Sequence, residues 1–190
     1  MNTLTTHAPM VTRSEIVARA AKIRLMAFDI DGVFTDGRMY FGGQGESMKA
    51  FNTLDGHGIK QLARIGIQVA IITGRRSDIV AARAAELGIT QLFQGVPRKW
   101  PVMRDLLAET GITIDEAAYM GDDWPDLGIL SKCGFACAPA NAHPDVLSRV
   151  HYVSTVAGGS GAVREVCDLI VQAVAGQDAY QASLAAACEG

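Results

Sequence analysis

The chain alternates short, almost wholly apolar runs with longer segments in which apolar residues recur every three or four positions. Leu25-Met26-Ala27-Phe28 with Ile30 is the first run and Gln68 to Thr73 the second. Leu92-Phe93, Ala117 to Met120, Phe135 to Ala138 and Tyr152-Val153 follow. Short apolar runs without polar alternation predict strands buried on both faces, as in a parallel sheet. The segments between them predict helices. Thr12 and Glu15 form a T-x-x-E capping box that opens a helix ending near Ile23. Leu54 to Ile65 sets Ile59, Leu62, Ala63 and Ile65 at helical spacing, with Gly66 as its stop. Ser77 caps a helix through Leu87 that Gly88 ends, and Lys99 and Pro101 open another to Thr110. Trp124 to Lys132 and Pro144 to Arg149 are shorter helices, and Ala162 to Val174 carries Val163, Val166, Ile170 and Val174 on one face.

Strand alternating with helix predicts an α/β fold with a doubly wound parallel sheet, Rossmann-like, in one domain over residues 1–190. One segment breaks the alternation. Gly37 to Phe41 and Glu46 to Asn52 flank the glycine-rich Gly42-Gly43-Gln44-Gly45, which predicts a β-hairpin over residues 37–52. It follows the first strand directly, where a flap over a site would stand. No insertion large enough for a cap domain follows it. Residues 175–190 are rich in Ala and Gln without a partner face and predict a flexible tail.

Composition narrows the function classes. Hydrophobic residues make up 49% and charged residues 19% of 190, the balance of a globular protein. A net charge of −3 lacks the basic footprint of a nucleic-acid binder. No window has signal-peptide or membrane-span character, so the expected setting is the cytoplasm, with no membrane partner. Cys133 and Cys137 form a C-x3-C without a second ligand pair, so the four cysteines predict buried free thiols rather than a zinc site. The four histidines are scattered, and only His57 lies near the expected site.

Candidate chemistry collects at strand ends. Ligand crevices in open α/β sheets lie beyond the carboxyl ends of the strands. There the sequence delivers Asp29-x-Asp31, then Thr73-Gly74, then Lys99, then Gly121-Asp122-Asp123. Each is ordinary alone; together they hold every part needed for phosphoryl transfer to a carboxylate. A spacing of two puts Asp29 and Asp31 on one side of an extended backbone, and two such charges on an apolar strand need a cation between them. Mg²⁺ suits this donor set: Asp29 and Asp122 through carboxylates, Asp31 through its backbone carbonyl. Asp29 would attack phosphorus, Asp31 would act as acid and then base, Thr73 would hold phosphoryl oxygens, and Lys99 would balance their charge. Asp123 and Asp126 would orient metal-bound water or the lysine from behind.

These four stations resemble the motifs of the haloacid dehalogenase superfamily of aspartate-nucleophile phosphatases. FDIDGVFTDG, FNTLDGHGIKQL, ITGRRSDIV, MGDDWPDL and GGSGAVREVCDLI resemble more closely its 3-deoxy-D-manno-octulosonate 8-phosphate phosphatase branch, over about Ile23 to Ala173. The resemblance implies an Mg²⁺-dependent phosphatase for a small sugar acid phosphate in lipopolysaccharide precursor synthesis. It implies a homotetramer in which neighbouring hairpins roof each site, and a Gly158-Gly159-Ser160-Gly161 segment able to reach a neighbour. It places Thr35, Gly74, Arg75 and Arg83 among the substrate-binding positions. Arg98 beside Lys99 departs from the usual pattern and leaves two cations competing for one role. Two other readings stay open from the residues: a phosphatase for a nine-carbon, sialic-acid-type sugar acid phosphate, and a receiver-like phospho-acceptor domain.

Overall fold

The computed structural model describes residues 11–43, 45–176 and 180–181. In chain order the strands are β1 (Leu25–Phe28), β2 (Tyr40–Gly42), β3 (Gly45–Met48), β4 (Gln68–Ile72), β5 (Gln91–Phe93), β6 (Ala117–Met120), β7 (Phe135–Ala138) and β8 (Tyr152–Val153). The helices are α1 (Arg13–Ala20), α2 (Thr53–Arg64), α3 (Asp78–Glu86), α4 (Lys99–Thr110), α5 (Leu127–Leu130), α6 (Pro144–Leu147) and α7 (Ala162–Ala175). Six strands form one parallel sheet in the order β5-β4-β1-β6-β7-β8, and β2 and β3 pair antiparallel outside it. Skipping the hairpin, this is the 3-2-1-4-5-6 order, whose direction reverses at β1. Receiver domains share the flavodoxin-like order instead, so the receiver-like reading is overturned by topology.

The reversal explains where a ligand can enter. Successive connections leave β1 to opposite sides, opening a crevice between the carboxyl ends of β1 and β6. The strands there are fully buried, because helices cover both faces. Met26 and Phe28 face a core built with Ile59 and Leu62 of α2, Val80 of α3 and Val163, Val166 and Ile170 of α7. Leu25 and Ala27 point the other way, toward Met103 and Leu106 of α4, Ile129 of α5 and Val146 of α6. The alternation along β1 is thus between two cores, which is why no polar position interrupts the run.

Several local expectations shift. The helix expected to reach Ile23 ends at Ala20, with the Thr12 hydroxyl accepting from Glu15 N–H at 3.3 Å. Trp124 to Lys132 divides into a 3-10 turn, Trp124–Asp126, and the single turn of α5, because Asp123 and Asp126 cap each other around Pro125. Ser77 stands at the start of α3 without capping it; its hydroxyl is used elsewhere. The strands of the hairpin occupy only the middle of residues 37–52. The tail expected from 175 onward lies almost wholly outside the described residues. Cys133, Cys137 and Cys167 are buried and free.

The segment Gly158-Gly159-Ser160-Gly161 leads into α7 and presses on the loop that leaves β1. Gly158 N–H donates to Asn141 Oδ1 at 2.7 Å, and Gly159 N–H to the Val33 carbonyl at 3.1 Å. A Cβ on Gly158 would lie 1.9 Å from the Gly32 carbonyl oxygen and 2.9 Å from that of Thr35. Both obstacles are backbone, so no side chain can move to make room. Gly158→Ala is expected to cost at least about 2 kcal/mol, as overpacking against an immobile wall does. Urea unfolding of the variant and the parent protein, compared at the midpoint, measures it.

Candidate active site

β1 stops at Phe28, and the chain turns at Asp29 before entering the loop through Gly32. Asp31 therefore lies in the turn that follows the strand rather than on one extended face with Asp29. Each meets its own cation. Asp29 Oδ2 pairs with Lys99 Nζ at 2.7 Å, whereas Asp31 Oδ1 is bonded by Lys49 Nζ. Both still line one cavity of about 320 Å³ at the ends of β1, β4 and β6, with Thr73, Gly74, Arg75, Lys99, Asp122 and Asp123.

Lys99 is the first residue of α4, only 3% exposed. A cation at a helix N-terminus opposes the helix dipole, and a buried one also loses its water. Two carboxylates offset both costs: Nζ lies 2.7 Å from Asp29 Oδ2 and 2.7 Å from Asp126 Oδ1. Burial pulls the lysine pKa down, but Asp29 and Asp126 outweigh it and hold the group above its ordinary value, hence charged. Arg98 is exposed at the cap position, so of the two competing cations Lys99 alone reaches the carboxylates.

Asp126 is saturated. Oδ1 accepts from Lys99 and, at 2.7 Å, from the Tyr119 hydroxyl, while Oδ2 accepts the Asp122 and Asp123 N–H groups at 3.0 and 3.2 Å. Asp123 in turn accepts from Trp124 N–H at 2.8 Å. Asp29, Asp122 and Asp126 each bring one oxygen within 4.8 Å of the others. With Asp126 fully engaged, Asp29 and Asp122 are the members left to hold a cation. Asp29 Oδ1 is buried without a hydrogen-bond partner among the described residues. The loop makes room for Asp122: a Cβ on Gly32 (φ +84°) would lie 2.0 Å from Asp122 Oδ2. Burial raises the Asp29 pKa to about 6, with Lys99 opposing and Asp126 adding to the rise. Burial raises Asp122 to about 7, and Asp126 and Asp29 push it further in the same direction. Two carboxylates that repel each other beside a single ammonium, which pairs with Asp29 and not Asp122, fit a hard divalent cation with oxygen ligands.

The hairpin is tied to residues of this cavity within the same chain. Glu46 on β3 accepts the Ser77 hydroxyl at 2.5 Å, and lies 3.1 Å from Lys49 Nζ and 3.5 Å from Arg75 Nη2. Burial pushes its carboxyl up, but the bonds from Ser77 and Lys49 and the charge of Arg75 hold it below its ordinary range. Arg75 also sits 3.7 Å from Asp31 Oδ2 and stacks over the Phe41 ring at 5.9 Å.

Two expected substrate-binding residues do not join the cavity. Thr35 is buried, its hydroxyl accepting the Gly32 and Gly37 N–H groups at 3.3 and 3.2 Å, so it shapes the loop from within. Arg83 points away on α3, pairs with Glu86 at 2.7 Å and borders a separate hollow with His57 and Lys60. Sequence reasoning missed Glu46, Lys49, Ser77 as a hairpin anchor, and Tyr119. The first two read as an ordinary solvated edge strand. Tyr119 reads as core, and only its hydroxyl, placed under Asp126, distinguishes it.

Comparison with known proteins adds the following. The family model for haloacid dehalogenase-like hydrolases matches residues 98–165. The chain is 48% identical over 159 residues to the 3-deoxy-D-manno-octulosonate 8-phosphate phosphatase KdsC of Yersinia pestis, covering 84% of this chain and 85% of that one. It is 47% identical over 160 residues to KdsC of Escherichia coli (strain K12), with coverage of 84% and 85%. Among solved structures, the Moraxella catarrhalis 3-deoxy-D-manno-octulosonate 8-phosphate phosphatase, in complex with magnesium ion, phosphate ion and KDO, superposes with a TM-score of 0.87. It is 40% identical, with 91% of this chain and 99% of that one covered. The crystal structure of the Yersinia pestis enzyme gives 0.83 at 48% identity, with 84% and 86% covered.

The raised carboxylates make a measurable demand on the metal-free protein. An unfolded aspartate releases its proton near pH 4, whereas folded Asp29 and Asp122 hold theirs to about pH 6 and 7. Stability therefore falls as pH rises from about 4 to about 7, since the folded state binds more protons there. Asp55, raised by burial to about 6, contributes with the same sign away from the cavity. Mg²⁺ separates the two: the rise in Tm on adding it should be larger at pH 8 than at pH 5, where protons compete at the site. Thermal melts at both pH values check this, and Asp122→Asn should shrink the Mg²⁺-dependent part and leave the contribution of Asp55.

Proposed function

Because the chain belongs to the 3-deoxy-D-manno-octulosonate 8-phosphate phosphatases of the haloacid dehalogenase-like hydrolases, we propose that it hydrolyses 3-deoxy-D-manno-octulosonate 8-phosphate to the free sugar acid and phosphate. The observation that carries the mechanism is Asp29, which lines the cavity with one oxygen held by Lys99 and the other without a side-chain partner. Asp29 attacks phosphorus in line through the free oxygen, and the bond from phosphorus to the sugar oxygen breaks. Asp31 donates a proton to that leaving oxygen. In the second half Asp31 takes a proton from water as the water oxygen attacks the aspartyl phosphate. The bond from Asp29 to phosphorus breaks, and phosphate leaves with Asp29 again a carboxylate and Asp31 again protonated.

Thr73 and the neighbouring backbone hold the phosphoryl oxygens, and Lys99 faces the charge that spreads over them. A Mg²⁺ ion held by Asp29, Asp122 and the Asp31 carbonyl supplies the neutralisation that lets an anionic nucleophile meet a phosphate dianion. The Moraxella relative crystallised with magnesium, phosphate and KDO supports the choice of ion and substrate class. Asp126 and Asp123 act behind these groups, since their oxygens are spent on Lys99, Tyr119 and backbone N–H donors. Arg75, at the rim and 40% exposed in its side chain, is placed to meet the carboxylate or hydroxyls of the sugar acid.

The reading extends to assembly and setting. Met39, Phe41 and Met48 of the hairpin region are each at least half exposed, an apolar surface that supports docking against neighbouring copies in a homotetramer. Among the described residues no helix is long and apolar enough to cross a membrane, which fits a cytoplasmic enzyme.

Steady-state kinetics on a panel of sugar acid phosphates, hexose phosphates and nucleotides, with and without Mg²⁺, tests the assignment. The eight-carbon 3-deoxy acid phosphate should give the highest kcat/KM. A nine-carbon substrate winning by tenfold or more would move the specificity and leave the chemistry. Asp29→Asn should abolish turnover on every ester while the thermal melt stays cooperative. Asp31→Asn should lose about 10²-fold or more on the sugar ester, as removal of an acid-base group does. The loss of phosphoryl transfer should shrink for aryl phosphates, whose leaving groups need no proton.

A further inference from the structure

We infer that Lys49 is a positioning residue for the general acid, delivered to Asp31 only when the hairpin is down. The proposal rests on the phosphatase reading and adds to it how the flap acts on the chemistry. Lys49 directly follows β3, and its side chain is 1% exposed, less than that of any cavity carboxylate except Asp126. It bonds Asp31 Oδ1 and, at 3.1 Å, Glu46 Oε1. Lys99 pairs with Asp29 and Asp126 and not with Asp31, so the two ammonium groups serve separate carboxylates.

A buried lysine is costly, and its retention between two carboxylates calls for a reason beyond stability. Its second partner supplies that reason. Glu46 is also the acceptor for the Ser77 hydroxyl, on the far side of the cavity after β4. One carboxylate thus ties the hairpin to the sheet and holds the lysine that fixes Asp31. Lifting the hairpin breaks the Glu46–Ser77 bond and withdraws Lys49 from Asp31 together. Asp31 sits in a turn rather than on β1, so the backbone alone does not set its side-chain direction. Lys49 does not itself line the cavity and meets it through Asp31, which does. Its effect passes through Asp31, which distinguishes it from Arg75 at the rim.

The test is a double-mutant cycle in the full chain with saturating Mg²⁺, using p-nitrophenyl phosphate as well as the sugar acid phosphate. Lys49→Met should lower kcat on the sugar ester by about 10-fold or more, part of the roughly 10²-fold or more that the acid itself supplies. In an Asp31→Asn background the same substitution should cost less than about twofold, because the group it acts through is already gone. On the aryl ester, Lys49→Met should keep the rapid first release of nitrophenol and slow the later turnover. Equal costs in both backgrounds, or loss of the burst with the turnover, would make the role structural and overturn the proposal. Glu46→Gln, at the other end of the same chain of bonds, gives the same cycle should Lys49→Met fail to fold. Arginine in place of Lys49 should restore part of the lost kcat, since the charge returns. The aryl ester keeps the outcomes separate: failure of the substrate assignment leaves its cycle intact, and absence of any burst in Asp31→Asn would count against the covalent mechanism instead.

Discussion

Three carboxylates crowd one end of a sheet whose other positions are apolar, and a single ammonium, Lys99, stands among them. At 2.7 Å and an effective dielectric near 20, one such pair gains about 6 kcal/mol of Coulomb energy. Dehydrating each ion costs several kcal/mol, so the arrangement roughly breaks even as a contribution to folding. Hydrophobic residues of the same volume would serve stability as well or better. The cluster persists as a charge deficit held open: Lys99 balances one carboxylate, Asp126 is used up in hydrogen bonds, and Asp29 and Asp122 retain more negative charge than the protein supplies cations for. Much of the rest follows from this deficit, including the raised pKa values, the orphaned Asp29 oxygen and the glycine that lets Asp122 approach the loop.

The fold explains why the deficit sits where it does. Asp29 and Asp122 end β1 and β6, the pair of strands between which the sheet reverses direction. Helices leaving on opposite faces keep that crevice open while Phe28 and Met120 just below it are buried completely. The catalytic groups therefore stand on rigid strand ends, and their spacing is set by inter-strand hydrogen bonds. The loop between Gly32 and Asp36 is the less regular part. It is held instead by Thr35 from inside and by Gly158 and Asn141 from outside.

Much of this was legible in the chain because it depends on short-range regularities. Apolar runs of strand length locate the buried strands, and a residue following such a run lies at the carboxyl end of its strand. Asp29, Thr73 and Asp122 therefore read as neighbours from the sequence, and in the structure they line one cavity. Arg98 and Lys99 compete for one role in the sequence, and burial of Lys99 in the structure separates them. What the sequence did not carry was tertiary. Glu46 and Lys49 have the look of a solvated hairpin edge, and only the fold of that hairpin onto the cavity buries the lysine. Ser77 carries the signature of a helix cap, yet a carboxylate from another element outcompetes the backbone for its hydroxyl. Arg83 is matched to the site by its place in a motif, but α3 sets it beside Gly56 and Glu86, in a separate hollow.

The separate pairing of Asp29 and Asp31 bears on how one site can hold two acids in different roles. A carboxylate that must attack needs a fixed position and an unprotonated oxygen; Asp29 has a cation on the rigid α4 start and no freedom to turn. A carboxylate that must give and then take a proton needs to be moved between two partners. Asp31 stands in a turn, with its cation on the hairpin rather than on the sheet. The hairpin is thereby joined to the group that carries the proton. A small flap can then do part of what a large cap domain would do: exclude water and align the acid in a single closure, with only the Glu46–Ser77 bond needed to register that it is shut.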